Sequence, residues 1–212
     1  MVDRALTLAD QSGLDALTIR KLAADLGVTP MALYWHFRSK EELLSGIADR
    51  IWSEIDTEVD WSAPWQDQLR RLYLSLLSVL RAHSSAPQLI MRGKKSGDAS
   101  ADATETALEV LRRAGFSPVD ASGIAIQALW SALMLVMSEP GIEFADPEER
   151  AEEMRKRRIA FGSQPVAKYP RLVECAVPMT ACDDPEVHYQ LGVDIFIGGI
   201  VALAATRGNN PG

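Results

Sequence analysis

The 212-residue sequence predicts an all-α protein. An N-terminal three-helix unit of helix-turn-helix type is joined by a linking helix to a larger helical domain. Nearly every periodic segment repeats its apolar residues at helical spacing. Alternating β-branched and aromatic runs closed by hairpin turns are absent. The first fifty residues are cut into short helices by capping residues and glycines.

The first helix carries Val2, Ala5, Leu6 and Ala9 on one face and stops at Gly13, a residue type that commonly closes helices. Thr18 can cap a second helix, whose inward face is Ile19, Leu22, Ala23 and Leu26, and Gly27 ends it after barely two turns. Thr29 caps a third, with Pro30 at the first helical position, where a missing N–H is harmless. Leu33 and Phe37 are its inward pair. Ser39 and Glu42 form a capping box that opens a longer fourth helix with Leu43, Leu44, Ile47, Ala48 and Ile51 on its apolar face. Two short helices around a tight glycine turn, braced on either side by a helix, make a helix-turn-helix unit. It occupies residues 1–50, and 51–212 form the second domain, with "DTEVDWSAP" (56–64) as the link.

In the second domain Leu69, Leu72, Tyr73, Leu76, Leu77 and Leu80 mark a long amphipathic helix. "RGKKSGDASAD" (92–102) reads as a polar loop. A helix near 103–114 ends at Gly115, and Ser117-Pro118 start one that carries no charge from Ala121 to Ser138. That uncharged stretch is long enough to be weighed as a membrane span, but Ser122, Gly123, Gln127, Ser131 and Ser138 favour a buried helix and no membrane contact. Asp146, Pro147 and Glu149 open a charged helix reaching about Phe161. Pro165, Pro170 and Pro178 break up the segment after it, and a last apolar helix runs from about Glu186 to Thr206.

A net charge of −7 and a pI near 5.0 exclude coating nucleic acid through bulk charge; DNA binding needs a local basic surface. Thr18 to Lys40 supplies one, with Arg20, Lys21, Arg38 and Lys40 against Asp25 alone, a local charge of +3. The third helix is then the recognition helix. With Leu33 and Phe37 facing inward, Pro30, Met31, Ala32, Tyr34, Trp35 and His36 are left for DNA. Consecutive aromatics cannot all serve one helix face, so Tyr34, Trp35 and His36 make a docking edge on the phosphate backbone. The competing reading puts Tyr34 and Trp35 in a small core. Positions 29–36 contain no Arg, Asn or Gln, the usual bidentate base readers. Thr29, Met31 and Ala32 can touch thymine methyl groups, Arg20 can reach base or phosphate, and shape carries much of the specificity.

The run "GLDALTIRKLAADLGVTPMALYWHFRSKEELL", Gly13 to Leu44, resembles the DNA-binding domain of TetR-family transcriptional repressors, with the "LYWHF" core and a lysine three residues on as its specific mark. The resemblance covers about the first quarter of the chain. It implies a homodimer on a palindromic double-stranded DNA operator, released when a small-molecule effector occupies the C-terminal domain; the two late cysteines, Cys175 and Cys182, separately fit a reduced, cytoplasmic setting. By position it implies DNA contact from Arg20 on the second helix and from Tyr34, Trp35 and His36. Lys40 falls on the phosphate-binding lysine, and Pro30, Met31 and Ala32 fall on the variable base-reading positions. Thr18 and Thr29, which cap the two helices, complete the candidate DNA-binding set. Family members usually carry several residues ahead of the first helix. Here Met1 falls inside it, so that arm is missing or Met1 is not the natural start.

The uncharged helix separates into a small stripe (Ala121, Ala125, Ala128, Ala132), a bulky one (Ile126, Trp130, Leu133, Met137) and a polar one (Gly123, Gln127, Ser131, Met134, Ser138). A helix without charge on any side is enclosed all round. Gly192, Gly199 and Thr206 recur every seven residues on the last helix, with Ile195 and Ala202 between. The helices near 118–138 and 186–206 therefore suit an intersubunit four-helix bundle, the alternative being a core within one chain. For the effector pocket the candidates are Gln127, Ser131 and Met134, walled by Tyr73, Met91, Trp130 and Phe161, since buried amides and hydroxyls need partners that a ligand can supply.

Arg155 to Arg158 pair with Glu152 and Glu153 along their own helix and read as a solvated face. His36, His83 and His188 are scattered, and Cys175 and Cys182 fit no common zinc spacing, so no metal or cofactor is expected. No nucleophile–base pair or phosphate-cradling loop points to an enzyme. A helical ligand binder that has lost DNA binding is opposed by the intact "LYWHF" and Lys40. An activator on the same scaffold is a further alternative.

Overall fold

The computed structural model describes residues 1–92, 97–142, 144, 146–181 and 184–207, and among these every regular element is helical. The chain forms two compact units. One comprises Met1–Val136 together with the chain from Phe196 on; the other is Met137–Ile195.

The first unit opens with α1 (Val2–Ser12), α2 (Ile19–Leu26), α3 (Pro30–Tyr34) and α4 (Lys40–Trp52). The capping groups expected from sequence hold these boundaries. Thr18 accepts a hydrogen bond from the Lys21 N–H, Thr29 Oγ1 from Ala32 N–H at 3.3 Å, and Ser39 Oγ from Glu42 N–H at 3.2 Å. The Glu42 carboxylate reaches back to the Arg38 N–H at 2.6 Å, one residue before the cap. Gly27 closes α2 at φ +68°, a left-handed conformation that L side chains resist. Leu14, Leu17, Leu22, Leu33, Leu43 and Ile47 are essentially sealed from solvent. A helix as short as α3 does not hold itself in water. It stands because Thr29 caps it and Leu33 is buried, the latter contributing about 1.5–3 kcal/mol.

The same unit continues through α5 (Trp65–Ala82), α6 (Ala86–Met91), α7 (Asp98–Arg113) and α8 (Pro118–Met137, entering the second unit at its last residue). Between α4 and α5 the chain runs through turns at 53–55 and 61–63 joined by an irregular stretch, and it is pinned at intervals. The Asp56 N–H donates to Ser75 Oγ, Arg71 pairs with Asp56, and the Arg113 guanidinium lies 4.1 Å from the Trp61 ring centre. α4 packs against α1, α6 and α7, and α5 against α7. Gly97, just before α7, touches Asp49 of α4 so closely that an added Cβ would lie 2.3 Å from Asp49 Oδ1.

Two features depart from the sequence expectation. The polar loop expected over 92–102 is helical from Asp98 onward, while 93–96 lie outside the described residues. Asp98 sits in the first turn, where a negative charge suits the helix dipole, and Ala99, Ala101 and Ala103 are strong helix formers. The short helix α6 is likewise additional to the expected elements; Ser85 and Pro87 start it after a break at His83.

In the second unit α9 (Pro147–Gly162) packs on α10 (Pro170–Glu174) and on a 3₁₀ turn at Pro178–Thr180. Asp146 caps α9 by accepting the Glu148 N–H. The glutamate–arginine pairs along α9 (Glu152 with Arg155, Glu153 with Arg157) lie on its exposed face. Cys182 lies outside the described residues. α11 (Pro185–Arg207) gives its first part, to Ile195, to this unit and the rest to the first unit.

Candidate functional site

One edge of the first unit gathers the residues marked for DNA. Leu33 turns inward and Phe37 is half-buried, which forces their neighbours outward. Trp35 is 86 % exposed, Met31 69 % and Tyr34 47 %; Thr18, Arg20, Thr29, Pro30, Ala32 and His36 are exposed as well. Trp35 therefore takes no part in a core within this chain. Lys40 is half-buried at the start of α4, its Nζ 3.4 Å from the Asp15 carbonyl oxygen. The edge thus offers apolar and aromatic surface in the middle with cations around it. This combination fits a groove floor flanked by phosphates.

The helix-turn-helix unit is tied to the rest of its unit by a polar cluster that the sequence did not announce. Asp10, on α1, accepts from Ser85 N–H at 3.0 Å and Ser85 Oγ at 2.6 Å, and its other carboxylate oxygen is 2.8 Å from His83 Nδ1. Ser84 Oγ donates to the Asp10 carbonyl oxygen. The second ring nitrogen of His83 lies 3.0 Å from Glu54, just beyond α4, and Glu54 also pairs with Arg50, which reaches Asp3. Burial disfavours charge on His83, but the two carboxylates outweigh it and raise its pKa above the usual histidine value. Arg92, just beyond α6, pairs with Asp15, which follows α1.

Within the first unit a cavity of about 350 Å³ opens among four helices, a size typical of small-molecule sites. Trp52 and Ile55 close it from the end of α4, Leu72 and Tyr73 from α5, Thr104, Ala107 and Leu108 from α7, and Ser122, Ala125 and Ala128 from α8. No Asp, Glu, Lys, Arg or His lines it among the described residues. The Tyr73 ring stacks on Phe196 with centres 4.7 Å apart, and its hydroxyl is 2.9 Å from Ser131 Oγ. Burial pushes that hydroxyl's pKa up, so it carries its proton at neutral pH.

Of the pocket candidates read from sequence, Tyr73 is on this wall and Ser131 is hydrogen-bonded to it. Gln127, Trp130 and Met134 lie on the exposed side of α8, Met91 is exposed at the end of α6, and Phe161 is half-buried on α9. Sequence reasoning missed Trp52, Ile55, Thr104, Ala107 and Ser122 as wall residues. Trp52 and Ile55 continue the apolar rhythm of α4, the one signal that marks them.

Each of the two apolar helices also presents an uncovered stripe. On α8 it is Ile126, which also borders the cavity, with Trp130, Met134 and Met137; on α11 it is Val187, Leu191 and Ile195. Side chains built on Gly198 and Gly199 would meet nothing within 4 Å. Both helices are long and apolar enough to cross a bilayer by length and composition alone.

Comparison with known proteins fits this geometry. Residues 1–47 match the pattern described as bacterial regulatory proteins, tetR family, and residues 61–204 match the tetracyclin repressor-like C-terminal domain. The chain is 30 % identical to the tetracycline repressor protein class G of Vibrio anguillarum, over 97 % of this chain and 93 % of that protein. It is 26 % identical to the class C repressor of Escherichia coli, over 97 % and 91 %. In fold it resembles the TetR family protein ActR of Streptomyces coelicolor, solved in complex with actinorhodin (TM-score 0.81, 24 % identity, 96 % and 95 % of the two chains).

Proposed function

The chain belongs to the TetR family of bacterial regulatory proteins, and from that premise we propose that it is a cytoplasmic transcriptional repressor working as a homodimer. Residues 1–50 bind a palindromic operator, and 51–212 bind a small-molecule effector and form the dimer. Lys40 and Thr18 hold the phosphate backbone, Tyr34, Trp35 and His36 meet the groove and the backbone, Arg20 reaches a base or a phosphate, and Thr29, Pro30, Met31 and Ala32 meet the base edges. The stripes on α8 and α11, with the open glycines of α11, face the partner subunit; water is a poor cover for that much apolar surface.

The observation that carries effector control is the course of α4. Lys40 begins it at the DNA edge, and Trp52 ends it on the cavity wall. Its thirteen residues span about 20 Å of rigid rod. A ligand filling the cavity beside Trp52 and Tyr73 tilts that rod and moves the recognition helix. Two such helices must lie about 34–36 Å apart to enter successive major grooves, so a small tilt spoils the fit. Release requires the ligand to bind one arrangement better than the other. Coupling of about 1–3 kcal/mol changes operator affinity about 5- to 150-fold.

Linkage makes the test reciprocal. Bound sites are selected from random DNA, compounds are screened for release, and a releasing compound is titrated calorimetrically into protein with and without operator. Operator should weaken ligand binding by the same factor by which ligand weakens operator binding. Equal ligand affinity in the two titrations refutes allosteric release by that compound.

A further inference from the structure

The hydroxyl groups on the cavity wall have already committed their protons. Thr104 Oγ1 donates to the Ser100 carbonyl at 2.7 Å, and Ser122 Oγ to the Val119 carbonyl at 2.9 Å. Serine and threonine on helices commonly bond back in this way. Ser131 Oγ lies 3.0 Å from the Ala128 carbonyl, an oxygen that can only accept, so Ser131 is the donor there. With its one proton engaged, Ser131 must accept from Tyr73, whose hydroxyl is 2.9 Å away. A hydroxyl has one proton and two lone pairs. Tyr73, Thr104 and Ser122 therefore keep lone pairs and no hydrogen to give. Among the described residues, Trp52 is the one side chain on the wall that can only donate.

Charge is constrained on the same wall. The cavity opens to solvent beside Thr104 and Ser122, which are exposed. With no ionisable acid or base lining it among the described residues apart from the protonated Tyr73, a carboxylate or ammonium that moves inward to Tyr73 gives up part of its hydration and gains no counter-charge. An anion is disfavoured further, since it arrives as an acceptor where the three hydroxyls are acceptors and only Trp52, among the described lining residues, has a proton to offer.

We propose that the effector is an uncharged, mainly apolar molecule that presents hydroxyl or N–H donors to Tyr73, Thr104 and Ser122, and that anionic analogues of the same shape are rejected. This rests on the assignment of the cavity as the effector site. It adds the chemical class of the ligand and the direction of its hydrogen bonds.

Three probes on one ring system separate the effects of donor, acceptor and charge: 2-naphthol is a neutral donor, 2-methoxynaphthalene a neutral acceptor, and 2-naphthoate an anion. Each is titrated calorimetrically into the full-length protein. We expect 2-naphthol to bind about 2- to 12-fold more tightly than the methyl ether, the range of one net hydrogen bond, and 2-naphthoate to bind at least about 5-fold more weakly than 2-naphthol, the low end of what an unpaired group costs in a partly desolvated place. The double variant Thr104→Ala/Ser122→Ala should shrink the preference for 2-naphthol over its ether; an undiminished preference takes these two hydroxyls out of the proposed site.

Ala107→Phe fills the cavity and should abolish binding of 2-naphthol; Ala125→Met is the milder variant should the phenylalanine impair folding. If 2-naphthoate binds as well as 2-naphthol, or 2-naphthol does not bind at all, the proposed ligand class is wrong. If the probes bind the cavity-filled variants as they bind the parent, they do not occupy the cavity, and the assignment of the effector site fails instead.

Discussion

Replacing Asp10 by alanine should unfold the junction between the helix-turn-helix unit and α5–α6. The carboxylate is bonded to Ser85 N–H, Ser85 Oγ and His83 Nδ1, and Ser85 is buried. Without it the two Ser85 donors are left with no acceptor in a place that water hardly reaches. At about 1 kcal/mol for each of these hydrogen bonds, the middle of the usual range, the expected destabilisation is about 3 kcal/mol. For a chain of this length that lowers Tm by about 6–12 °C. Asp10→Asn keeps one acceptor oxygen for Ser85 and should cost less than half as much.

The same junction carries a pH signature. The His83 pKa is raised in the folded protein because Asp10 and Glu54 outweigh the opposing effect of burial. A group whose pKa rises on folding stabilises fully below its unfolded value, about 6.5 for histidine. That stability is lost as the pH climbs through the folded value. Urea melts at a series of pH values from about 6 to 9, bracketing the histidine range, should therefore show this contribution fading upward through the window, more weakly in Asp10→Ala and not at all in His83→Gln. The reasoning is refuted if Asp10→Ala costs less than about 0.5 kcal/mol, or if the pH dependence is identical in His83→Gln.

The DNA edge and the apolar stripes give two further expected outcomes. Lys40→Ala should weaken binding to every sequence and flatten the log–log salt dependence by about 0.9 for each phosphate no longer neutralised, whereas changes at Met31 or Ala32 should alter which bases are preferred; competition binding on randomised operators separates the two. Gly199→Arg should give monomers or insoluble protein on light scattering, since it places a charge where α11 is open, and an unchanged dimer mass would remove α11 from the interface.

The sequence by itself determined the helix-turn-helix unit, because everything that shapes it acts over a few residues. Thr18, Thr29 and Ser39 each accept an N–H three positions on, Gly27 supplies a left-handed turn, and the spacing of Leu33 and Phe37 turns Met31, Tyr34 and Trp35 outward. The apolar character of α8 and α11 was legible for the same reason, as composition within one helix. Periodicity on an apolar helix, however, cannot say which side meets a cavity and which meets a neighbour. Only the tertiary structure decided that Ser122, Ala125 and Ala128 turn to the cavity while Trp130 and Met134 lie on the exposed side. It alone joined Trp52 to Tyr73 and Thr104 around one space, and Asp10 to His83 and Ser85. These residues are far apart in the chain. Their meeting depends on how whole helices pack, and a single helix carries no record of the surface set against it.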